Sequence, residues 1–181
     1  MSSASARPAE PETHRFADDG RIPNSRLPVL VYRRALEPRQ RDLAGAFERL
    51  FDGHGWRGAW RNGIYPFHHF HSTTHEVLGC SRGRARVRLG GEGGATVTIE
   101  AGDVVVIPAG VGHKHEASTP DFQVVGAYPD GRDWDICRGE PGEREKALAN
   151  LACVPLPTAD PVHGPDGPLL AHWGGLEPKR R

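Results

Sequence analysis

Ten histidines are spread unevenly along the chain. His68, His69, His71 and His75 fall within eight residues and run directly into Glu76, while His113 and His115 fall within three. Neutral imidazoles combined with one carboxylate make a donor set suited to a divalent transition metal. His69 and His71 are two apart, so on an extended strand both rings point to one side with Tyr65 and Phe67, and His68 and Phe70 point to the other. Ser72, Thr73 and Thr74 read as a turn. A hairpin there folds Glu76, at the head of Val77-Leu78-Gly79-Cys80, back beside the two histidines. His113, after the turn-like Pro108-Ala109-Gly110-Val111-Gly112, can complete the set. A histidine on a strand is by itself more often a core or surface residue, and two at this spacing are often coincidence. The metal reading gains because a carboxylate and a further histidine lie where a barrel can bring them together. Alternation does not decide between His75 and its neighbour Glu76.

The elements that must position these residues read as short strands. Arg84 to Leu89 alternates, with Ala85, Val87 and Leu89 on one face and three arginines on the other, and Ala95 to Ile99 does the same with Thr96 and Thr98 outward. That is a strand face on a core with its back in water. Gly90 to Gly94 is the turn between them. Val104 to Ile107 is a short apolar strand stopped by Pro108, and Phe122 to Tyr128 is another, closed by Pro129-Asp130-Gly131. Short strands between Gly-rich turns predict an all-β sandwich or barrel. Ahead of them, Leu27 to Leu36 reads as a strand. Arg39 to Asp52 reads as a helix, with Leu43, Ala46, Phe47, Leu50 and Phe51 as its stripe and Gly53 as its stop. Trp56 and Trp60 are expected in a connection beneath that helix. Glu143 to Ala152 is a second, shorter helix with Ala147, Leu148 and Leu151 on one face. The resulting organisation is a loosely ordered tail over 1–26, a strand and helix packing on the barrel over 27–62, the barrel over 63–130, and a C-terminal helix with wrapping coil over 131–181.

Composition narrows the class. Hydrophobic residues make up 37% of the chain, enough for a core, and 23 Gly with 16 Pro favour turns over long helices. Twenty-three basic and 23 acidic residues cancel, so no charge excess supports nucleic-acid or anionic-membrane binding. No apolar run reaches transmembrane length, and the first residues lack the apolar stretch of a signal peptide. Three cysteines, Cys80, Cys137 and Cys153, without paired spacing, fit a reducing cytoplasm better than a disulfide framework.

Spacing then points to a family. Gly63, five residues, His69, one, His71, four, Glu76, six, Gly83 follows the first cupin motif, and Gly102, five residues, Pro108, one, Gly110, two, His113 follows the second. Eighteen residues separate the motifs, and Ala117 stands where the second motif ends in Asn. The stretches HHFHSTTHEVLG, GDVVVIPAGVGHK and VVGAYPDGRDWD resemble the YjlB-like cupins, the likeness covering roughly residues 27–175. The resemblance implies a double-stranded β-helix, the cupin jelly-roll barrel, flanked here by an N-terminal helix and a short C-terminal one. It also implies metal ligation by His69, His71, Glu76 and His113. His75 then partners a ligand or fills a turn. His115 either lines the pocket as an acid or base or sits at the rim without a role, and Tyr65 and Phe67 line the pocket by parity.

Three imidazoles and a carboxylate leave about two open positions on an octahedral ion, room for water, dioxygen or a chelating substrate. The reading is a metal-dependent enzyme of dioxygenase, isomerase or lyase type acting on a small molecule, with His115 or Tyr65 moving protons. Fe(II) or Mn comes first, and Ni, Cu or Zn is accepted by the same donors. The alternative is a non-catalytic metal-dependent binding or sensing module, since the fold supports both. No helix-turn-helix accompanies the barrel, which argues against a transcription factor. A homodimer is expected by resemblance, with the Leu27–Leu36 strand pairing at a partner's sheet edge.

Overall fold

The computed structural model describes residues 9–175. In chain order its elements are β1 (Glu12–Phe16), β2 (Ser25–Tyr32), α1 (Leu43–Gly53), β3 (Trp56–Asn62), β4 (Glu76–Arg82), β5 (Arg84–Leu89), β6 (Ala95–Glu100), β7 (Val104–Ile107), β8 (His113–Ser118), β9 (Gln123–Pro129), α2 (Arg144–Leu151) and α3 (Pro168–Gly174). The strands form two antiparallel sheets, a large one in the order β1-β2-β7-β4-β9-β3 and a small one in the order β6-β5-β8. This is a jelly-roll sandwich, as the strand and turn pattern predicts.

The two larger of its three buried clusters lie one on each face of the large sheet. Between the sheets, Val29, Val31, Leu78, Cys80, Val105, Ile107 and Val124 meet Ala85, Val87, Leu89, Val97 and Ile99. On the outer face, Leu30, Tyr32, Val77, Val104, Val106, Val125 and Ala127 are covered by Leu43, Ala44, Phe47 and Phe51 of α1, by Trp56, and by Leu169 and Trp173 of α3. Strands buried on both faces carry unbroken apolar runs, which is why β7 is VVVI with no alternation. β5, with one face in water, keeps the strict alternation of its sequence. Phe47 and Phe51 are fully buried, and each contributes on the order of 1.5–3 kcal/mol by leaving water.

Helix α1 begins later than Pro38 suggests, because the Asp42 side chain caps it by accepting the Gly45 N–H at 3.0 Å. Trp56 and Trp60 are not in a connection. They lie on β3, an edge strand paired with β9, and only Trp56 packs in the core beneath α1. In α2, Ala147 is buried but Leu148 is exposed, so the expected apolar face is only partly used.

The segment read as a loose tail is tied down wherever it is described. β1 pairs with β2, and Ile22 is buried against Phe70, Cys137 and Ala147. Asn24, also buried, donates to Ala17 O at 2.7 Å and Gly90 O at 3.1 Å and accepts from Gly112 N–H at 3.2 Å. It is two-residue alternation and single hydrogen-bonding side chains that hold this stretch, and neither makes a conspicuous hydrophobic period. The outer spans 1–8 and 176–181 lie outside the described residues. The Leu27–Leu36 segment is a strand only as far as Tyr32. As β2 it is hydrogen-bonded to β1 on one side and, over Leu30–Tyr32, to β7 on the other, so that part of it has no free edge to offer a second copy.

The C-terminal coil wraps the outer face through one buried carboxylate. Asp160 accepts the Tyr32 hydroxyl and the backbone N–H groups of Val162, His163 and Leu169. The indoles of Trp56 and Trp173 donate to Ala159 O at 2.9 Å and Pro28 O at 3.0 Å.

Candidate metal centre

Residues 65–71 are not a regular strand, yet their backbone is clamped like one. His69 exchanges both backbone hydrogen bonds with His113 (3.2 and 2.9 Å), His115 N–H donates to Tyr65 O, and Gly110 N–H donates to His71 O. On the other side Phe70 exchanges both bonds with Cys137 at 2.9 Å. The turn carrying this register needs glycine at 110. Its φ is +90°, and a Cβ there would lie 2.5 Å from Asn24 O. The clamp sets the His69 ring 4.0 Å, centre to centre, from that of His113.

Strand β4 brings the carboxylate. Glu76 shares the inward face with Leu78, and its Oε2 lies 3.2 Å from Nε2 of both His71 and His113. One nitrogen each from His69, His71 and His113 falls within 4.8 Å of the others, and all three rings are buried. So the hairpin folds the acid back beside the histidines, and of the two neighbours at its start it is Glu76 that faces them.

The far side of each ring decides what those nitrogens are. Nδ1 of His69 bonds Phe67 O at 3.0 Å, Nδ1 of His113 bonds Val111 O at 3.1 Å, and Nδ1 of His71 bonds Asp135 O. A carbonyl only accepts, so Nδ1 carries a proton in all three rings, and in the neutral ring it is Nε2 that presents a lone pair. Lone pairs and a carboxylate converging in a buried space repel unless a proton or a cation sits among them. Three imidazole nitrogens and one carboxylate oxygen are the donor chemistry of a divalent transition-metal site, and these residues fit one.

Titration behaviour follows from the same geometry. Burial alone would raise the Glu76 carboxyl, but positive charge on His71 and N–H donation from the facing His113 and His71 rings overcome it and, without an ion between them, hold the group below the usual carboxylate range. Burial works against a charged His71, and the facing Glu76 outweighs it and raises that ring. His69, pushed down by burial and then by His113, falls to about 3 and stays neutral.

Two residues that the sequence placed elsewhere, Trp60 in a connection and Tyr128 at a strand end, complete the floor. Trp60 Nε1–H donates to the Tyr128 hydroxyl at 2.7 Å, and that hydroxyl lies 3.3 Å from Glu76 Oε1. An indole only donates, so the tyrosine must turn its own proton to the carboxylate. Burial and then the Glu76 charge raise the Tyr128 hydroxyl, which keeps that proton in place. Trp60 reaches this position because its cross-strand neighbour is Gly126, where a Cβ would lie 2.2 Å from the indole. The signal was present in β9: Val124, Gly126 and Tyr128 alternate with the outward Val125 and Ala127. The acid beneath Ser72 was also missed. Asp135 accepts the Ser72 N–H at 2.7 Å and its hydroxyl, and so anchors the loop whose carbonyl holds His71.

These side chains floor a cavity of about 360 Å³, walled by Trp60, Ile64, Tyr65, Leu78, Tyr128 and Trp134. Tyr65 lines it, 5.2 Å from the His69 ring. Phe67 does not; it stacks on Tyr65 at 5.0 Å under the Arg138 guanidinium. Nor does His115 line it. A bulge in the β5–β8 pairing follows Val87↔His115, and the His115 ring packs 6.2 Å from Phe122. His68 points outward to Glu92 at 2.8 Å. The turn at Pro129-Asp130-Gly131 does more than close an edge, since it carries Trp134 over the site, 5.7 Å from the His71 ring. Cys80 is a core residue, fully buried between the sheets.

Comparison with known proteins places the chain among relatives. The family described as Cupin domain matches residues 61–125, which hold all four donors. Over 165 residues, 91% of this chain and 97% of the relative, the sequence is 47% identical to Uncharacterized protein YjlB of Bacillus subtilis (strain 168). Similar solved structures include acireductone dioxygenase from Bacillus anthracis with a cadmium ion in its active centre. It is 15% identical at a TM-score of 0.40, over 59% of this chain and 80% of that one. The QdtA 3,4-ketoisomerase from Thermoanaerobacterium thermosaccharolyticum is 16% identical at a TM-score of 0.38, over 46% of this chain and 66% of that one. Likeness at that level carries nothing about chemistry.

Proposed function

From the premise that the chain belongs to the YjlB-like cupins, we propose that His69, His71, Glu76 and His113 hold one divalent transition ion and that the protein is a metal-dependent enzyme acting on a small molecule. The observation that supports it is the common tautomer of the three histidines. Every Nδ1 is spent on a backbone carbonyl, leaving Nε2 free, and Glu76 Oε2 faces two of those nitrogens.

When bound, the ion supplies Lewis-acid chemistry and, if it is iron or manganese, electron transfer, which spans the oxygenase, isomerase and lyase types. The chain does the rest. The backbone clamp between His69 and His113 sets the angle of two donors before any ion arrives, so little ordering cost remains. Tyr128 holds Glu76 Oε1, which leaves Oε2 as the donor. Ile64, Leu78 and Trp134 present carbon to the cavity and limit water there. Tyr65 sits where it can pass a proton to a bound molecule. In this reading His115 plays no part at the site. Fe(II) or Mn is the first expectation, with Ni, Cu or Zn accepted by the same donors.

The test is metal content after purification without chelator, followed by oxygen uptake and product analysis with candidate substrates. About one transition ion per chain, lost in His71→Ala, supports the site. A protein that binds no such ion, and whose melting temperature does not move when zinc or manganese is added, overturns it. Metal without turnover on any substrate leaves the binding or sensing module as the reading.

A further inference from the structure

The walls of the cavity say what kind of molecule it takes, an inference that rests on the metal reading above. A divalent ion, one carboxylate and three neutral imidazoles leave a single net positive charge at the floor. Above that floor the polar groups nearest Glu76 are committed to each other, and those of Asn62, Tyr65 and Trp134 belong to exposed rim residues. The Trp60 N–H is given to Tyr128, and the Tyr128 hydroxyl is held by Trp60 and directed at Glu76. Arg61 is the one cationic side chain among the described lining residues, and Glu48 takes its Nε and Nη2 at 2.6 and 2.8 Å. A sugar or a phosphate seated against those inner groups gives up hydrogen bonds to water that they do not replace.

What the walls do offer is flat carbon. The rings of Tyr128 and Trp134 stack at 6.1 Å with 21° between planes, and Tyr65 stands beside His69 as Trp134 stands beside His71. Tyr65 and Trp134 are each 45% exposed although they are large and aromatic, so they form the rim, with ring surface still open to a ligand. Aromatic rings gain by offset stacking and edge contacts with other flat π-systems, beyond the area they bury.

We propose that the cavity binds a small planar mono-anion with a conjugated or aromatic body and two adjacent oxygen donors, its oxygens at the histidine floor and its body against Tyr65, Tyr128 and Trp134. Phosphorylated and polyhydroxylated molecules are disfavoured by the same inner walls.

Two chelators with one head group isolate the effect of the walls. Zinc-loaded protein is titrated by calorimetry with benzohydroxamic acid, with acetohydroxamic acid, and with glucose 6-phosphate as the polar control. Zinc keeps the readout to binding alone. Benzohydroxamic acid is expected to bind about tenfold tighter or more than acetohydroxamic acid, the gain of burying one phenyl ring, and glucose 6-phosphate to give no saturable heat. Tyr65→Ala and Trp134→Ala, both at the exposed rim, are expected to keep zinc and to bring the two hydroxamates closer together. Equal affinity of the two hydroxamates, or tighter binding of glucose 6-phosphate, overturns the inference while the metal site stands. Failure to take up zinc removes the metal reading and this inference with it.

Discussion

The two faces of the large sheet both bury histidine and use it in opposite ways. On the face toward the small sheet, His71 and His113 give Nδ1 to backbone carbonyls and turn bare nitrogens toward Glu76. On the outer face His75, next to Glu76 in sequence, accepts the Ala109 N–H on Nδ1 at 2.9 Å and rests against Trp173 of α3 with ring centres 4.8 Å apart. An Nδ1 that accepts leaves the proton on Nε2, so His75 is the reverse tautomer and offers no lone pair to an ion. Burial pushes it down to about 4, so it stays neutral as a packing residue. Type and burial are the same on the two faces, and the partner of Nδ1 sets the role. His75 also holds the turn before His113, so the outer core supports the geometry of the inner site.

Removing a donor should break the comparison most sharply. His71→Ala or Glu76→Gln is expected to reduce bound metal to the level of chelator-treated protein, a larger loss than the roughly 10–100-fold that a ligand's hydrogen-bond partner is worth. Metal analysis checks it, and retained stoichiometry in both variants would mean that the two faces do not differ. His75→Ala should do the converse. It leaves a void under Trp173 and an unpaired Ala109 N–H, a cost of about 2–4 kcal/mol in denaturant unfolding, while the folded protein still takes up its ion. Complete loss of metal in a folded His75→Ala would move His75 to the inner site.

Smaller effects sharpen the picture. Tyr128→Phe strips Glu76 Oε1 of its donor and Trp60 of its acceptor. It should weaken metal affinity by about 10–100-fold, as is usual for the partner of a ligand. An unchanged affinity by competition with a chromogenic chelator would show that Glu76 needs no such support. The wet back of the small sheet should be the least sensitive. Arg86 pairs with Glu116 at 3.4 Å in the open, and Arg86→Ala is expected to shift stability by less than about 0.5 kcal/mol.

How much could be read in advance follows from the same division. Alternation in β5 and β6 was plain because water bathes one side of the small sheet. In β7 both sides are covered, so VVVI revealed a strand but not that α1 and α3 lie on it. The inward pair His69 and His71 was legible from strand parity, although the segment is clamped coil and not a regular strand. The place of His115 was not legible: its parity with His113 holds across from β5, but it sits two residues further along β8, where its ring meets Phe122 instead of the cavity. Asn24 and Asp135 act through single hydrogen bonds to distant backbone, and such partners leave no periodic trace.

Sequence alone determined which residues of the candidate site can donate, and that a short turn brings Glu76 back to His69 and His71, because turn length and strand parity are local properties. Tertiary structure decided which nitrogen of each ring is free, that His75 serves the outer core, and that Trp60 and Tyr128 brace the carboxylate. Those outcomes depend on carbonyls, amides and rings contributed from remote parts of the chain, whose approach is settled only when both faces of the large sheet are packed.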